Sequence, residues 1–142
     1  MKIPILATIL LTFNLSLSLG QNLKSYRFTC WNEKDSILLP PNFLGPKYFN
    51  YTEGAIISFI AFDSCMVEIL CGADADLALD DKYEKNDSIM NNNIVKQYFY
   101  SIKGANQYAR KIYSKRFIIL YQHASFFQKK ELDIAFDLLE RK

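Results

Sequence analysis

Between Asp87 and Glu131 the chain carries no acidic residue, while Lys96, Lys103, Arg110, Lys111, Lys115, Arg116, Lys129 and Lys130 supply eight positive charges. Tyr98, Tyr100, Tyr108, Tyr113 and Tyr121 are interleaved with them. A surface of this kind suits an anionic partner, with guanidinium groups forking onto phosphate or sulfate. The anion-binding candidates are Lys96, Arg110, Lys111, Lys115 and Arg116, together with Tyr98, Tyr100 and Tyr113. A sulfated or acidic glycan, a phospholipid headgroup or a microbial envelope would fit them. The competing reading starts from the segment Glu53 to Asp87, which holds nine acidic and two basic residues. The basic strands then pair with that acidic middle, or present solvated faces that discourage edge-to-edge association. The net charge of +2 conceals this segregation.

Asp74, Asp76, Asp80 and Asp81 form the other charged cluster and raise the question of calcium, a hard cation that takes several oxygen ligands. Counted from Asp74, the sixth position is Leu79 instead of Gly and the twelfth is Lys85 instead of Glu, so the segment is no EF-hand loop and reads as a solvated acidic loop. Enzymatic chemistry has little to stand on. His123 is the only histidine, which excludes a zinc site of the multi-histidine kind, and no GxSxG elbow is present. A hydrolase built on His123 with Cys65 or a serine is kept as an alternative, and no cofactor is expected.

These residues need a frame. Met1 to Gly20 begins with Lys2, runs through an apolar stretch and closes on small residues, which reads as a secretory signal peptide. The remaining residues, 21–142, suit one domain with a modest core. Secretion makes a nucleic-acid partner unexpected, and no membrane span is expected once the signal is removed. An oxidising compartment lets thiols pair. Three cysteines, Cys30, Cys65 and Cys71, allow one disulfide, and their spacing leaves the pairing open. Cys30–Cys71 is preferred, as one of the bonds that staple the first strand to the core, and the remaining thiol is expected to be buried. Asn50-Tyr51-Thr52 and Asn86-Asp87-Ser88 are glycosylation sequons in polar stretches.

The rest of the chain reads mainly as strands. LKSYRFTCW forms a first strand ending at Trp31, and the proline-rich LLPPNFLGPKYFN an ordered loop. GAIISFIAFDSCMVEILCG gives a buried strand, a tight bend and a second strand. The polar stretch after Cys71 is loop, with a short strand conceivable at Leu77 to Leu79. IVKQYFYSI alternates, placing Val95, Gln97 and Phe99 on one face and Lys96, Tyr98 and Tyr100 on the other. ARKIYSKRFIILY continues as one bent strand or two. The last segment is ambiguous, since Leu132, Ile134, Phe136 and Leu138 fit a strand while Leu132, Ala135, Phe136 and Leu139 fit a helix face. The all-β context favours a strand.

The order of features resembles the secreted CUB-like domains of nematodes. The resemblance rests on an early Cys30, a proline-bearing loop at Pro40 and Pro41, and a strand and bend with Cys65 or Cys71. It extends to the ending, with RFIILY, a Ser-x-Phe connection at Ser125 to Phe127, and a closing strand LDIAFDL. It implies a β-sandwich that acts as an extracellular binding module, with calcium held by acidic loops in many members. The expectation is therefore a secreted, mainly antiparallel β-sandwich of jelly-roll or CUB-like type that binds rather than catalyses. The alternative fold is a small β-barrel, which as a lipocalin-like carrier would enclose an apolar ligand.

Overall fold

The computed structural model describes residues 22–51, 54–72, 75–90 and 94–140. The expected signal segment, Thr52 of the first sequon and Asp74 lie outside them. Along the described chain run β1 (Lys24–Cys30), β2 (Glu33–Leu39), β3 (Phe43–Tyr51), β4 (Gly54–Ala61) and β5 (Met66–Cys71). There follow β6 (Glu84–Ile89), β7 (Ile94–Ile102), β8 (Gln107–Ser114), β9 (Ile118–Ala124) and the helix α1 (Phe126–Glu140).

The alternation of apolar side chains in these strands decides how they layer. β1 and β2 form a hairpin, and the other strands form one sheet in the order β3-β4-β5-β9-β8-β7-β6, antiparallel throughout. One face of the large sheet presents Ile57, Phe59, Val67, Ile69, Ile112, Ile119 and Tyr121. Opposite them lie Tyr26, Phe28, Ile37 and Leu39 of the hairpin and Leu132, Ala135 and Phe136 of the helix. The molecule is thus a mainly antiparallel sandwich whose second layer is a two-stranded sheet completed by α1. β3 and β6 stand at opposite ends of the large sheet, which is open, so the barrel alternative is not realised.

Four expectations change. The C-terminal segment is a helix, not a strand, and the closing strand LDIAFDL that entered the family resemblance is absent. A capping box starts the helix: the Gln128 N–H donates to Ser125 Oγ at 3.3 Å, and the Ser125 N–H donates to Gln128 Oε1 at 2.9 Å. Much of the expected proline-rich loop is β3, where Pro46 is tolerated because the strand is an edge and its register shifts between Leu44 and Lys47. The end of the acidic stretch is the other edge strand, β6, and residues 77–79 are not a strand. β1 stops at Cys30, because Trp31 and Asn32 make the tight turn into β2. Trp31 sits there at φ +57°, a left-handed conformation that costs a side-chain-bearing residue on the order of 1–3 kcal/mol.

Cys30 and Cys71 form the disulfide, with Cα atoms 5.5 Å apart, and tie the hairpin to the end of β5. Cys65 is free and buried, and burial first of all pushes its thiol up to about 12.

The other face of the large sheet is partly covered by the chain between β5 and β6, whose Leu77 and Tyr83 pack on Leu70, Ala109 and Leu120. Glu68 on β5 is half-buried, and desolvation raises its carboxyl above the ordinary glutamate value of 4.5, against a smaller opposing pull from a Gln122 hydrogen bond. A carboxyl with a raised folded-state pKa binds its proton more tightly in the native than in the unfolded chain, so stability falls as pH rises through that pKa. Glu68→Gln is therefore expected to be more stable than the parent at neutral pH. The gap should close as pH falls below 4.5, measured by urea unfolding across pH.

Candidate functional site

The large sheet sorts the sequence candidates by face. Arg110 and Lys111 are neighbours on β8, so their side chains leave opposite sides of the sheet. Arg110 points toward the helix and is only 3% exposed. Its Nε and Nη2 donate to Gln97 Oε1 at 3.1 and 2.7 Å, Nη1 to Asp133 Oδ1 at 3.3 Å, and Nη2 to Asp137 Oδ1 at 2.7 Å. The guanidinium also lies against the Phe99 and Phe136 rings, 5.0 and 5.8 Å from their centroids. Asp133 is held in turn by the Tyr121 hydroxyl at 2.8 Å and by Lys129 Nζ at 2.6 Å. Arg110 does fork onto carboxylates, but they belong to this chain's own helix.

Lys111, 5% exposed, serves the opposite face. Its Nζ donates to the Leu77 carbonyl at 2.6 Å and pairs with Asp76 Oδ1 at 3.2 Å. The Tyr113 hydroxyl donates to Asp76 Oδ2 at 2.8 Å, and burial, aided by that carboxylate, raises the phenol's pKa. The basic β8 thus pairs with the acidic middle at this point, and Lys111 and Tyr113 fasten the covering segment to the sheet. Arg116, in the β8–β9 turn, reaches Glu33 Oε2 at 2.7 Å and Asp35 Oδ2 at 3.3 Å on β2. Lys115 beside it is exposed.

What this sorting leaves is a smaller patch near the β6 edge. Lys96, Tyr98 and Tyr100 share one face of β7, as the alternation requires. Tyr98 meets Tyr100 at 6.2 Å and stands edge-on to Tyr113 at 6.0 Å between ring centroids. Lys96 Nζ lies 4.8 Å from the Tyr98 centroid, and Lys85 Nζ of β6 lies 5.3 Å from it. Both lysines are exposed and the three tyrosines half-buried. Lys85 was missed in the sequence because it sits inside the acidic stretch. Only the β6–β7 pairing, which sets Lys85 opposite Tyr100, brings it to the patch.

The remaining candidates fall elsewhere. Asp76 is engaged with Lys111 and Tyr113, and Asp80 accepts the Lys82 N–H at 3.0 Å. Asp81 is exposed, and among the described residues no three acidic, histidine or cysteine side chains converge as a metal site would need. The His123 ring packs against Tyr83 at 5.9 Å. Cys65, with its thiol held at about 12, is the opposite of an activated nucleophile. Asn50 is exposed on the edge strand β3 and Asn86 on the edge strand β6. Among the described residues no helix is long and apolar enough to cross a membrane. Comparisons with protein families, with curated proteins and with solved structures find no match for this chain.

Proposed function

We propose that this protein is a secreted extracellular binding module that recognises an anionic glycan on the Tyr98 face of its large sheet. The observation that carries the reading is Tyr98, braced by two tyrosines and flanked by Lys85 and Lys96, neither of which makes an ion pair among the described residues. Phenol rings offer flat surface to the C–H faces of a sugar, and the ammonium groups supply donors to sulfate or carboxylate. The disulfide supports an oxidising compartment, and so does the leader-like start of the chain. Glycans on Asn50 and Asn86 would then stand on the two edge strands of the large sheet, β3 and β6. The CUB-like resemblance belongs to this proposal at the level of a disulfide-tied sandwich that binds. The C-terminal helix counts against a closer kinship.

The test is retention on immobilised heparin. Lys85→Ser/Lys96→Ser is expected to lower affinity about tenfold, the sum of two exposed charge contacts, and to elute at lower salt. Lys115→Ser, a cation away from the tyrosines, should elute with the parent. Unchanged retention of the double variant would sink the reading. Binding to phosphatidylserine vesicles without binding to heparin would assign the patch to a lipid headgroup.

A further inference from the structure

The β1–β2 turn breaks a local rule at an exposed site. Cys30 pairs with Glu33, leaving a two-residue turn in which the first residue, Trp31, has positive φ and the second does not. That is the pattern of a type II′ hairpin turn, which places Gly at its first central position because a Cβ is disfavoured there. Here the position holds the only tryptophan of the chain, and its indole is 67% exposed, so core packing does not hold it there. Strained backbone that carries an unburied aromatic points to a ligand.

A second observation lies beside it. Trp31 borders a cleft of about 370 Å³, within the usual range of small-molecule sites, which Asn32, Glu33, Asp35, Arg116 and Phe117 also line. Arg116 bridges Glu33 at 2.7 Å and Asp35 at 3.3 Å, which gathers three planar polar groups at the opening. Asp35 Oδ1 accepts the Ser36 N–H at 2.8 Å, which orients that carboxylate further. The disulfide at Cys30 anchors the turn from below.

We propose that this cleft is a saccharide site. Trp31 stacks on the C–H face of a pyranose, while Asn32, Glu33, Asp35 and Arg116 hydrogen-bond its hydroxyls. The aromatic body supplies apolar area at little entropic cost, and the planar groups supply paired donors and acceptors to vicinal hydroxyls. The charges select an uncharged sugar. Two carboxylates against one guanidinium leave a net negative charge, and the guanidinium is already engaged by both, so an anionic glycan is disfavoured. The site is therefore separate from the Tyr98 face in both place and ligand.

The test uses the emission of Trp31, which reports without background from another indole. The disulfide-intact chain is titrated with methyl glucoside, galactoside, mannoside and N-acetylglucosamine. A saturable change in emission is expected for at least one, with a dissociation constant on the order of millimolar for a single ring. Trp31→Gly suits the turn, so it should fold at least as well as the parent yet lose binding by calorimetry. Arg116→Ala should weaken binding at least tenfold, and Lys85→Ser/Lys96→Ser should leave it unchanged, which separates this site from heparin binding. Silence of Trp31 toward the whole panel, or full calorimetric binding by Trp31→Gly, would overturn the proposal. Emission that responds to choline and not to sugars would also overturn it and assign the cleft to a cation.

Discussion

Replacing Cys30 and Cys71 together by Ala is expected to destabilise the protein by about 4 kcal/mol, the loop-closure value for a bond spanning 41 residues. The hairpin explains why this should be among the largest single losses. β1 and β2 pair only with each other, so no hydrogen-bond ladder joins them to the large sheet. Their attachment rests on the apolar contacts of Tyr26, Phe28, Ile37 and Leu39, a Tyr26 hydroxyl proton shared between the Pro40 and Phe43 carbonyls, the Thr29 N–H donated to the Tyr48 hydroxyl, the exposed ion pairs of Arg116 with Glu33 and Asp35, and the disulfide. Without the bond, the hairpin should open before the large sheet does. Urea unfolding of the double variant measures the loss. Hydrogen exchange should show β1 and β2 amides losing protection while β5 and β9 keep theirs. A loss under about 1 kcal/mol would mean that packing alone secures the hairpin and that the crosslink adds little to it.

Arg110→Met is expected to cost about 2–3 kcal/mol, below the figure for a fully buried ion pair because water reaches Asp133 and Asp137. Met replaces most of the side-chain volume, so the loss is chiefly electrostatic. Among the described residues Asp133 keeps Lys129 and Tyr121 as partners, and Gln97 loses the guanidinium that meets its carbonyl oxygen. Because the cluster joins β7, β8 and α1, its loss should loosen the polar side of the helix, while Leu132, Ala135 and Phe136 keep it in the core. The check is a variant series in urea. Adding Asp133→Asn and Asp137→Asn to Arg110→Met should recover part of the loss, since the carboxylates that face the guanidinium are then neutral, while Lys129 gives up its ion pair with Asp133. If the triple variant is no more stable than Arg110→Met alone, the guanidinium acts through packing on Phe99 and Phe136. Arg110 and Lys111, both buried and engaged by this chain's own groups, are therefore poor positions at which to test ligand binding, since their substitution would report folding.

The C-terminal helix shows where reading by periodicity reaches its limit. Leu132, Ala135, Phe136 and Leu139 read as a helix face, but the same segment offers an alternating set, and the all-β context favours a strand where the chain forms a helix. The deciding local signal was Ser125-Phe126-Phe127-Gln128, a capping box that lies just ahead of the ambiguous segment. β3 and β6 were hidden for another reason. An edge strand with exposed side chains needs no apolar alternation, and β6 is exposed along its whole length. Its pairing with β7 is a backbone event that composition does not reveal.

The sequence by itself determined the mainly antiparallel β character, the buried pair of strands that became β4 and β5, the tight bend between them and the segregation of charge along the chain. Alternation and turn residues are local, and locality is what a sequence displays. The pairing of Cys30 with Cys71, preferred among open alternatives, needed the fold to decide it. So did the difference between a cation and a free cation. Arg110 and Lys96 look alike in the chain, yet Arg110 meets acids 23 and 27 residues away, and Lys111 meets one 35 residues away. Lys96, nearer the open edge, lies over a tyrosine ring and makes no ion pair among the described residues. Formal charge belongs to a residue, whereas its availability to a ligand depends on what the tertiary structure packs against it.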